Sequence, residues 1–278
     1  RVGVIANHNK FDHEEYKTLS RMAHKRGIAL LPGVELSVSD ESTGIHALIV
    51  FSREWLSNDH DQITPFLTGA FEGKTPDELG LESDRYFLSI KGAIRKLEND
   101  NRDFFLVFTH VEEEKGLWEE LRGGRLSELG GNPSFRRNTL GFQKVRSASR
   151  REMIKQLLGW YPAEVEGSNP KSIEEIGKGG AGYLKLGELS FEAVKFALSD
   201  PAARVAAQRP GRATSYIRSV HFDGGTLDGQ TLHFSPELNT LIGIRGSGKS
   251  SILEAVRYAL DIPRGEKSQD TTYKDELV

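Results

Sequence analysis

The chain has 278 residues, 37% of them hydrophobic, and a formal net charge of −3. That length suits one large or two modest domains, and a near-neutral balance is not the footprint of a generally basic nucleic-acid binder. It has no cysteine, which excludes disulfides and thiolate metal sites. No apolar run approaches ~18 residues and no signal peptide is visible, so the expected location is cytoplasmic, with no membrane partner.

Residues 1–38 read as a β-α-β unit. Val2 to Ala6 is a strand with Asn7-His8-Asn9 at its C-terminal end. Asp12 caps a helix running to Lys25, and Gly27 ends it. Ile28 to Leu31 is a second strand leading into Pro32-Gly33-Val34-Glu35, and Ile45 to Phe51 is a third apolar run. Ligands of α/β folds collect at strand C-terminal ends. His8 and Glu35 stand at such ends, and His46 opens its strand. Residues 53–85 form a polar excursion, and residues 86–99 are helical, with apolar positions at 87, 90, 94 and 97. Phe104–Phe108 is a strand followed directly by Thr109-His110.

Between 121 and 151, Arg122, Arg125, Arg136, Arg137, Lys144, Arg146, Arg150 and Arg151 face one acid, Glu128. Such a stretch suits a surface that tracks a phosphate backbone, or equally a solvated loop. Glu164-Val165-Glu166 reads as a strand entering the turn Gly167-Ser168-Asn169. Ser172 and Glu175 form a capping box, and Ser190 caps a helix to Leu198. The expected division is a first domain over 1–205, a linker at 206–214 and a second segment over 215–278. In the second segment, strands over 215–222 and 230–234 flank a glycine-rich turn at 224–229.

Gly243-Ile244-Arg245-Gly246-Ser247-Gly248-Lys249-Ser250 reads G-x-x-x-x-G-K-S, the phosphate-binding loop pattern. An apolar run at 239–242 is expected as the strand before it. Residues 252, 253, 256, 259 and 260 have the spacing of a helix after it. Amide N–H groups of Gly243, Arg245, Gly246, Ser247, Gly248 and Ser251, with the helix N-terminus, would face the anion of ATP. Lys249 would reach the β- and γ-phosphates and Ser250 would hold Mg²⁺. A P-loop ATPase also needs an acidic, water-handling segment further on. None follows, so the chain is expected to be the N-terminal part of a longer protein.

The approach Phe234-Ser235-Pro236-Glu237-Leu238-Asn239-Thr240-Leu241-Ile242-Gly243 resembles the N-terminal lobe of ABC-type ATPase heads of the chromosome-maintenance kind. That resemblance implies half an ATP site and a homodimer through the heads. The first segment resembles PHP (polymerase and histidinol phosphatase) domains, distorted α/β barrels holding a metal cluster. Its matching residues are Asn7-His8-Asn9, Pro32 to Glu35, His46, Thr109-His110 and the Gly167 to Ser172 stretch. Together the two segments are similar to the TrlF-like PHP–ATPase family, members of which are linked to antiphage defence.

The resemblance implies metal ligands at His8, Glu35, His46 and His110, with His110 needed for catalysis. Departures reduce that set. Asn7 and Asn169 carry no charge, and Lys171 stands where the family has a histidine, so one Zn²⁺ or Mn²⁺ is expected rather than a full cluster. The leading expectation is an ATP-driven effector cutting phosphodiesters in nucleic acid. The alternatives are a degenerate barrel serving as scaffold or clamp, with Lys171 gripping a phosphate, and a small-molecule phosphatase.

Overall fold

The computed structural model describes residues 1–40, 43–71, 88–167, 173–175, 178–211 and 215–263. Residues 72–85 of the polar excursion, Phe87, Ser168, Asn169, Lys171 and Ser172 lie outside them. The chain divides into two compact units, Arg1–Pro210 and Gly211–Val278.

The first unit is built on a mixed six-stranded sheet in the order β1 (Val2–His8), β2 (Ala29–Asp40), β3 (Thr43–Phe51), β4 (Phe104–Phe108), β5 (Thr139–Gln143) and β6 (Ala163–Val165). β1 and β2 are parallel, β2–β3 and β3–β4 antiparallel, and β4–β5–β6 parallel. β1 and β6 are its two ends and do not pair with each other. The fold is mixed α/β.

Alternation along the strands decides which side chains each face receives. Val34, Leu36 and Val38 of β2, Ile45, Ala47, Ile49 and Phe51 of β3, and Phe104, Leu106 and Phe108 of β4 enter one large core. Helices α2 (Ile63–Ala70), α3 (Ile90–Asn99), α4 (Gly123–Gly130), α5 (Pro133–Asn138) and α6 (Ala148–Leu158) pack onto it, with Trp55, Trp118 and Phe142 among the residues that fill the remainder. The opposite face carries a smaller core of Leu31, Val50, Phe105, Val107, Leu140 and Ala163. It is closed by Phe191, Val194 and Leu198 of α7 (Phe191–Ser199).

Helix starts follow their caps. Asp12 accepts the Glu15 N–H at 2.9 Å to open α1 (His13–His24), and Ser89 accepts from Gly92 at 3.0 Å. Ser190 accepts from Ala193 at 3.1 Å. Such caps each contribute about 1 kcal/mol.

The stretch expected as a basic surface or loop contains the sheet's fifth strand, Thr-Leu-Gly-Phe-Gln at 139–143. Its cations also do not face solvent alone. Arg125 binds Asp40 at 2.6 and 2.5 Å and also Glu128; Arg137 binds Glu98 at 2.6 Å; Arg146 binds Glu166 at 2.6 and 2.8 Å. Arg150 binds Glu119 at 3.0 Å, and Arg151 binds Glu164 with both its Nε and its Nη2. The excess charge was a property of the window: Asp40, Glu98, Glu119, Glu164 and Glu166 all come from outside it. Among the described residues, no carboxylate forms an ion pair with Arg122 or Arg136, and Lys144 acts on Glu166 only through the field of its charge.

In the second unit β9 (Ser219–His221) and β10 (Thr231–His233) pair antiparallel across the glycine turn, where Gly224, Gly225 and Gly229 have positive φ. A short pair, β7 (Tyr183–Leu184) and β8 (Val205–Ala206), belongs to the first unit. The strand expected over 239–242 is not formed. Among the described residues nothing pairs with it, and a strand's amides need a neighbour. Ile242 is 93% exposed. Asn239 instead pins a turn, accepting from Ser235 N and donating to the carbonyls of Ser235 and Glu237. No helix among the described residues is long and apolar enough to cross a membrane.

Gly130 ends α4 against the backbone of α6, where a Cβ would sit 2.5 Å from the Leu158 carbonyl oxygen and 2.6 Å from its Cα. In an open helix Gly→Ala stabilises by up to about 1 kcal/mol. Here G130A is expected to destabilise by on the order of 1–3 kcal/mol, because two backbones must move apart. A denaturant midpoint that rises instead contradicts this packing.

Candidate functional site

The sheet's period of two places Glu35 and Ser37 of β2 on the face opposite Val34, Leu36 and Val38. His46 of β3 lies opposite Ile45 and Ala47 in the same way. The antiparallel register sets Ser37 across from His46, and the parallel register sets His8 across from Glu35. β4 ends at Phe108, and Thr109 continues beside His46, its N–H donating to the His46 carbonyl at 3.3 Å. Residues remote in sequence therefore meet along one edge of the sheet.

Glu35, His46 and His110 each offer a ligand atom within 4.8 Å of the others. Glu35 Oε1 lies 3.7 Å from His46 Nδ1 and 4.0 Å from His110 Nδ1. Those gaps are too long for hydrogen bonds. They are near the spacing of about 3.4 Å expected for donors sharing one cation through bonds of about 2.1 Å. The His46 Nε2 atom is buried and has no hydrogen-bond partner among the described residues. Burial holds the His46 imidazole down to about 4; Glu35 pulls upward, and His8, His110 and Lys115 add to the depression. Burial also lowers His110, against Glu35 and Glu113, with Lys144 adding to the lowering. Both rings are neutral near pH 7, the form that binds metals. One carboxylate and two neutral imidazoles, one ring with an orphaned buried nitrogen, fit a single divalent cation such as Zn²⁺ or Mn²⁺.

His8 is placed differently. Its ring centroid lies 4.9 Å from that of His46, but its Nε2 is 2.8 Å from Ser37 Oγ. Ser37 is buried and held by both ends of the Asn9 carboxamide. Its N–H donates to Asn9 Oδ1 at 2.8 Å, and its Oγ accepts from Asn9 Nδ2 at 3.1 Å. His8 thus borders the three-residue cluster without being one of its members. Asn7 lies within 3.4 Å of Glu15 and not at the cluster.

The residues that the sequence reading did not single out are Ser37 and Gln143. Ser37 stands two positions after Glu35 on a strand, hence on the same face. Gln143 ends a strand that the count of basic residues obscured.

The glycine loop of the second unit leads into α8 (Lys249–Ala259). Gly246 and Gly248 have positive φ, at 84° and 81°, which a side chain would strain. A Cβ on Gly243 would meet Ser247 Oγ at 2.5 Å. The Lys249 ammonium donates to the carbonyls of Gly243 and Ile244, both at 2.7 Å, and to Ser247 Oγ at 3.2 Å. Arg245, Ser250 and Ser251 lie on the same loop and first helical turn, so the predicted phosphate-binding residues are contiguous at one helix start.

Residues 215–276 match the family model of an AAA domain. Among solved structures, the chain is similar to a candidate metal-dependent phosphoesterase from Bifidobacterium adolescentis, at 14% identity and a TM-score of 0.41 over 70% of this chain and 84% of that one. It is also similar to an amidohydrolase from Chromobacterium violaceum, with bound sulfate and no metal, at 13% identity and a TM-score of 0.39 over 63% and 78%. No curated protein matches the chain.

Thr109 Oγ1 donates to Glu35 Oε1 at 2.8 Å, orienting the oxygen nearest both histidines. Thr109→Val keeps the shape and removes that bond. Loss of such a supporting contact is expected to weaken Zn²⁺ affinity roughly tenfold, read by competition with a chromogenic chelator. Unchanged affinity would separate Thr109 from the centre.

Proposed function

We propose that this chain joins a metal-dependent hydrolase unit to an ATP-binding lobe. The observation that carries the first half is the meeting of Glu35, His46 and His110, from β2, β3 and the end of β4, with ligand atoms within 4.8 Å of one another. When bound, a divalent cation there lowers the pKa of a coordinated water and polarises the bond to be cut. The chain's own residues do the rest. Glu35 supplies the site's single negative charge, Thr109 fixes its rotamer, and the two imidazoles stay neutral through burial. His8, on the exposed rim and anchored by Ser37, is placed to meet substrate.

The second half rests on the G-x-x-x-x-G-K-S loop at a helix start and on the AAA-domain match. ATP with Mg²⁺ is its ligand, through Gly243, Arg245, Gly246, Ser247, Gly248, Lys249, Ser250 and Ser251. The resemblance to PHP–ATPase proteins extends the reading to a barrel-type unit that cleaves phosphodiesters in nucleic acid. In that reading it works in the cytoplasm under the control of two ATP-clamping heads, in antiphage defence. The pairing of five of the eight basic residues between 121 and 151 shifts support for nucleic-acid contact to Arg122, Arg136 and Lys144.

A second reading has its own observation. A single carboxylate among three donors suits one cation, not the pair that clamps both attacking and leaving oxygens. On that reading the first unit is a scaffold whose cation is structural.

Elemental analysis of the purified chain with a phosphodiesterase assay separates the two. The expected outcome is about one Zn²⁺ or Mn²⁺ per chain and activity lost in His110→Ala; bound metal with no turnover on any phosphodiester favours the scaffold. ATP binding is expected to weaken at least tenfold in Lys249→Ala, since the ammonium, which caps the Gly243 and Ile244 carbonyls of the loop, is the cation that the G-x-x-x-x-G-K-S pattern assigns to the phosphates. Equal nucleotide affinity in that variant would remove the loop assignment.

A further inference from the structure

His110 stands at a corner. β4 ends two residues earlier, and His110 turns the chain with φ of 33°, a left-handed backbone that a non-glycine residue adopts at a cost of about 1–2 kcal/mol. Such a conformation persists only where surrounding structure over-determines it. One residue does so on the side of β5. The Gln143 side-chain Oε1 accepts the His110 N–H at 3.2 Å, and the Gln143 backbone carbonyl accepts the next N–H, that of Val111, also at 3.2 Å. Two consecutive amides after β4 are therefore latched to a single residue at the end of β5.

The other side of Gln143 shows that its carboxamide is seated. A Cβ on Gly167 would lie 1.8 Å from Gln143 Nε2 and 2.9 Å from its Cδ. Only a glycine at 167 leaves room for the amide to lie where it meets His110. Downstream the turn is closed equally tightly. Glu113 N donates to the His110 carbonyl at 2.8 Å, Trp118 N donates to the Val111 carbonyl at 2.9 Å, and a Cβ on Gly116 would strike the His110 carbonyl oxygen at 2.3 Å. The imidazole's direction toward Glu35 follows from the backbone that Gln143 holds.

We infer that Gln143, seated against Gly167, is the positioning residue that aims His110 into the Glu35–His46–His110 centre. The inference rests on the proposed metal centre and adds the element that preorganises it. An acceptor oxygen is the required feature. Glutamate keeps it and leucine of similar size does not.

The test is Zn²⁺ and Mn²⁺ titration of the full chain by calorimetry, alongside thermal unfolding, for wild type, Gln143→Leu, Gln143→Glu and Gly167→Ala. Gln143→Leu is expected to lose roughly tenfold to a hundredfold in metal affinity, the range typical of supporting contacts. Gln143→Glu is expected to stay within about threefold of wild type, and that rescue separates aiming from packing. Gly167→Ala leaves Gln143 chemically intact but displaces it, and is expected to weaken binding in the same direction even where Gln143→Leu fails to fold. Wild-type binding with unchanged affinity in Gln143→Leu or Gly167→Ala overturns this inference alone. Equal loss in Gln143→Leu and Gln143→Glu also overturns it. A wild-type chain that takes up neither metal overturns the metal centre and this inference together.

Discussion

The pairing register between β2 and β3 is the constraint on which the rest of the first unit depends. It puts Ser37 opposite His46 and Glu35 one step away, while Leu36, Val38, Ile45, Ala47 and Ile49 go to the large core. A slip of one residue would exchange those sets. It would place Glu35 and His46 among helices and Leu36 at the site, so the apolar burial that stabilises the sheet also selects the arrangement that brings the donors together. Burial of each of the Leu, Val and Ile side chains contributes roughly 1.5–3 kcal/mol, and together they outweigh the few contacts within the site.

At the edge where the ladder stops, side chains take over from backbone pairing. The Asn9 carboxamide clasps Ser37 on the next strand, Thr109 reaches Glu35, and the Gln143 carboxamide takes the His110 amide just beyond β4. Each uses a short polar side chain to satisfy a backbone or carboxylate group that would otherwise lie half-buried without a partner. The site is therefore held by strand-end residues, and its donors inherit the rigidity of the sheet. The arginine–carboxylate pairs between 98 and 166 do a different job. Arg137 and Glu98 tie two helices of the large core together, and Arg125 extends the set to β2 through the buried Asp40.

Much of this was legible in the sequence because it is local. Short apolar runs ending in His8 and His110 marked strand ends, whereas Glu35, expected at one, lies within β2, which runs on to Asp40; the capping residues Asp12 and Ser190 marked helix starts. The glycine loop announced itself by spacing alone. What the sequence hid was non-local. Five arginines looked unneutralised until folding brought carboxylates from as far away as Asp40. β5 hid within the same basic stretch because Thr-Leu-Gly-Phe-Gln is short and flanked by charge. The run at 239–242 had the composition of a buried strand, but strand formation also needs a neighbour, which no single-segment pattern reports. His8 matched the family's ligand pattern by position, and its Nε2 stands beside Ser37 Oγ at the border of the three-residue cluster.

Asn9, His110, Lys115 and Lys144 all have left-handed backbones, and all lie at or just beyond the ends of β1, β4 and β5 or in the turn that supports His46. At each of these corners glycine would cost the backbone less. The chain therefore carries conformational expense at the rim of its candidate centre, where selection for thermal robustness alone would spend none. Laboratory evolution of this protein toward heat resistance would be drawn first to His110, Lys115 and Lys144, since glycine at Asn9 would also lose the clasp on Ser37, and each gain there would loosen the backbone around the candidate centre.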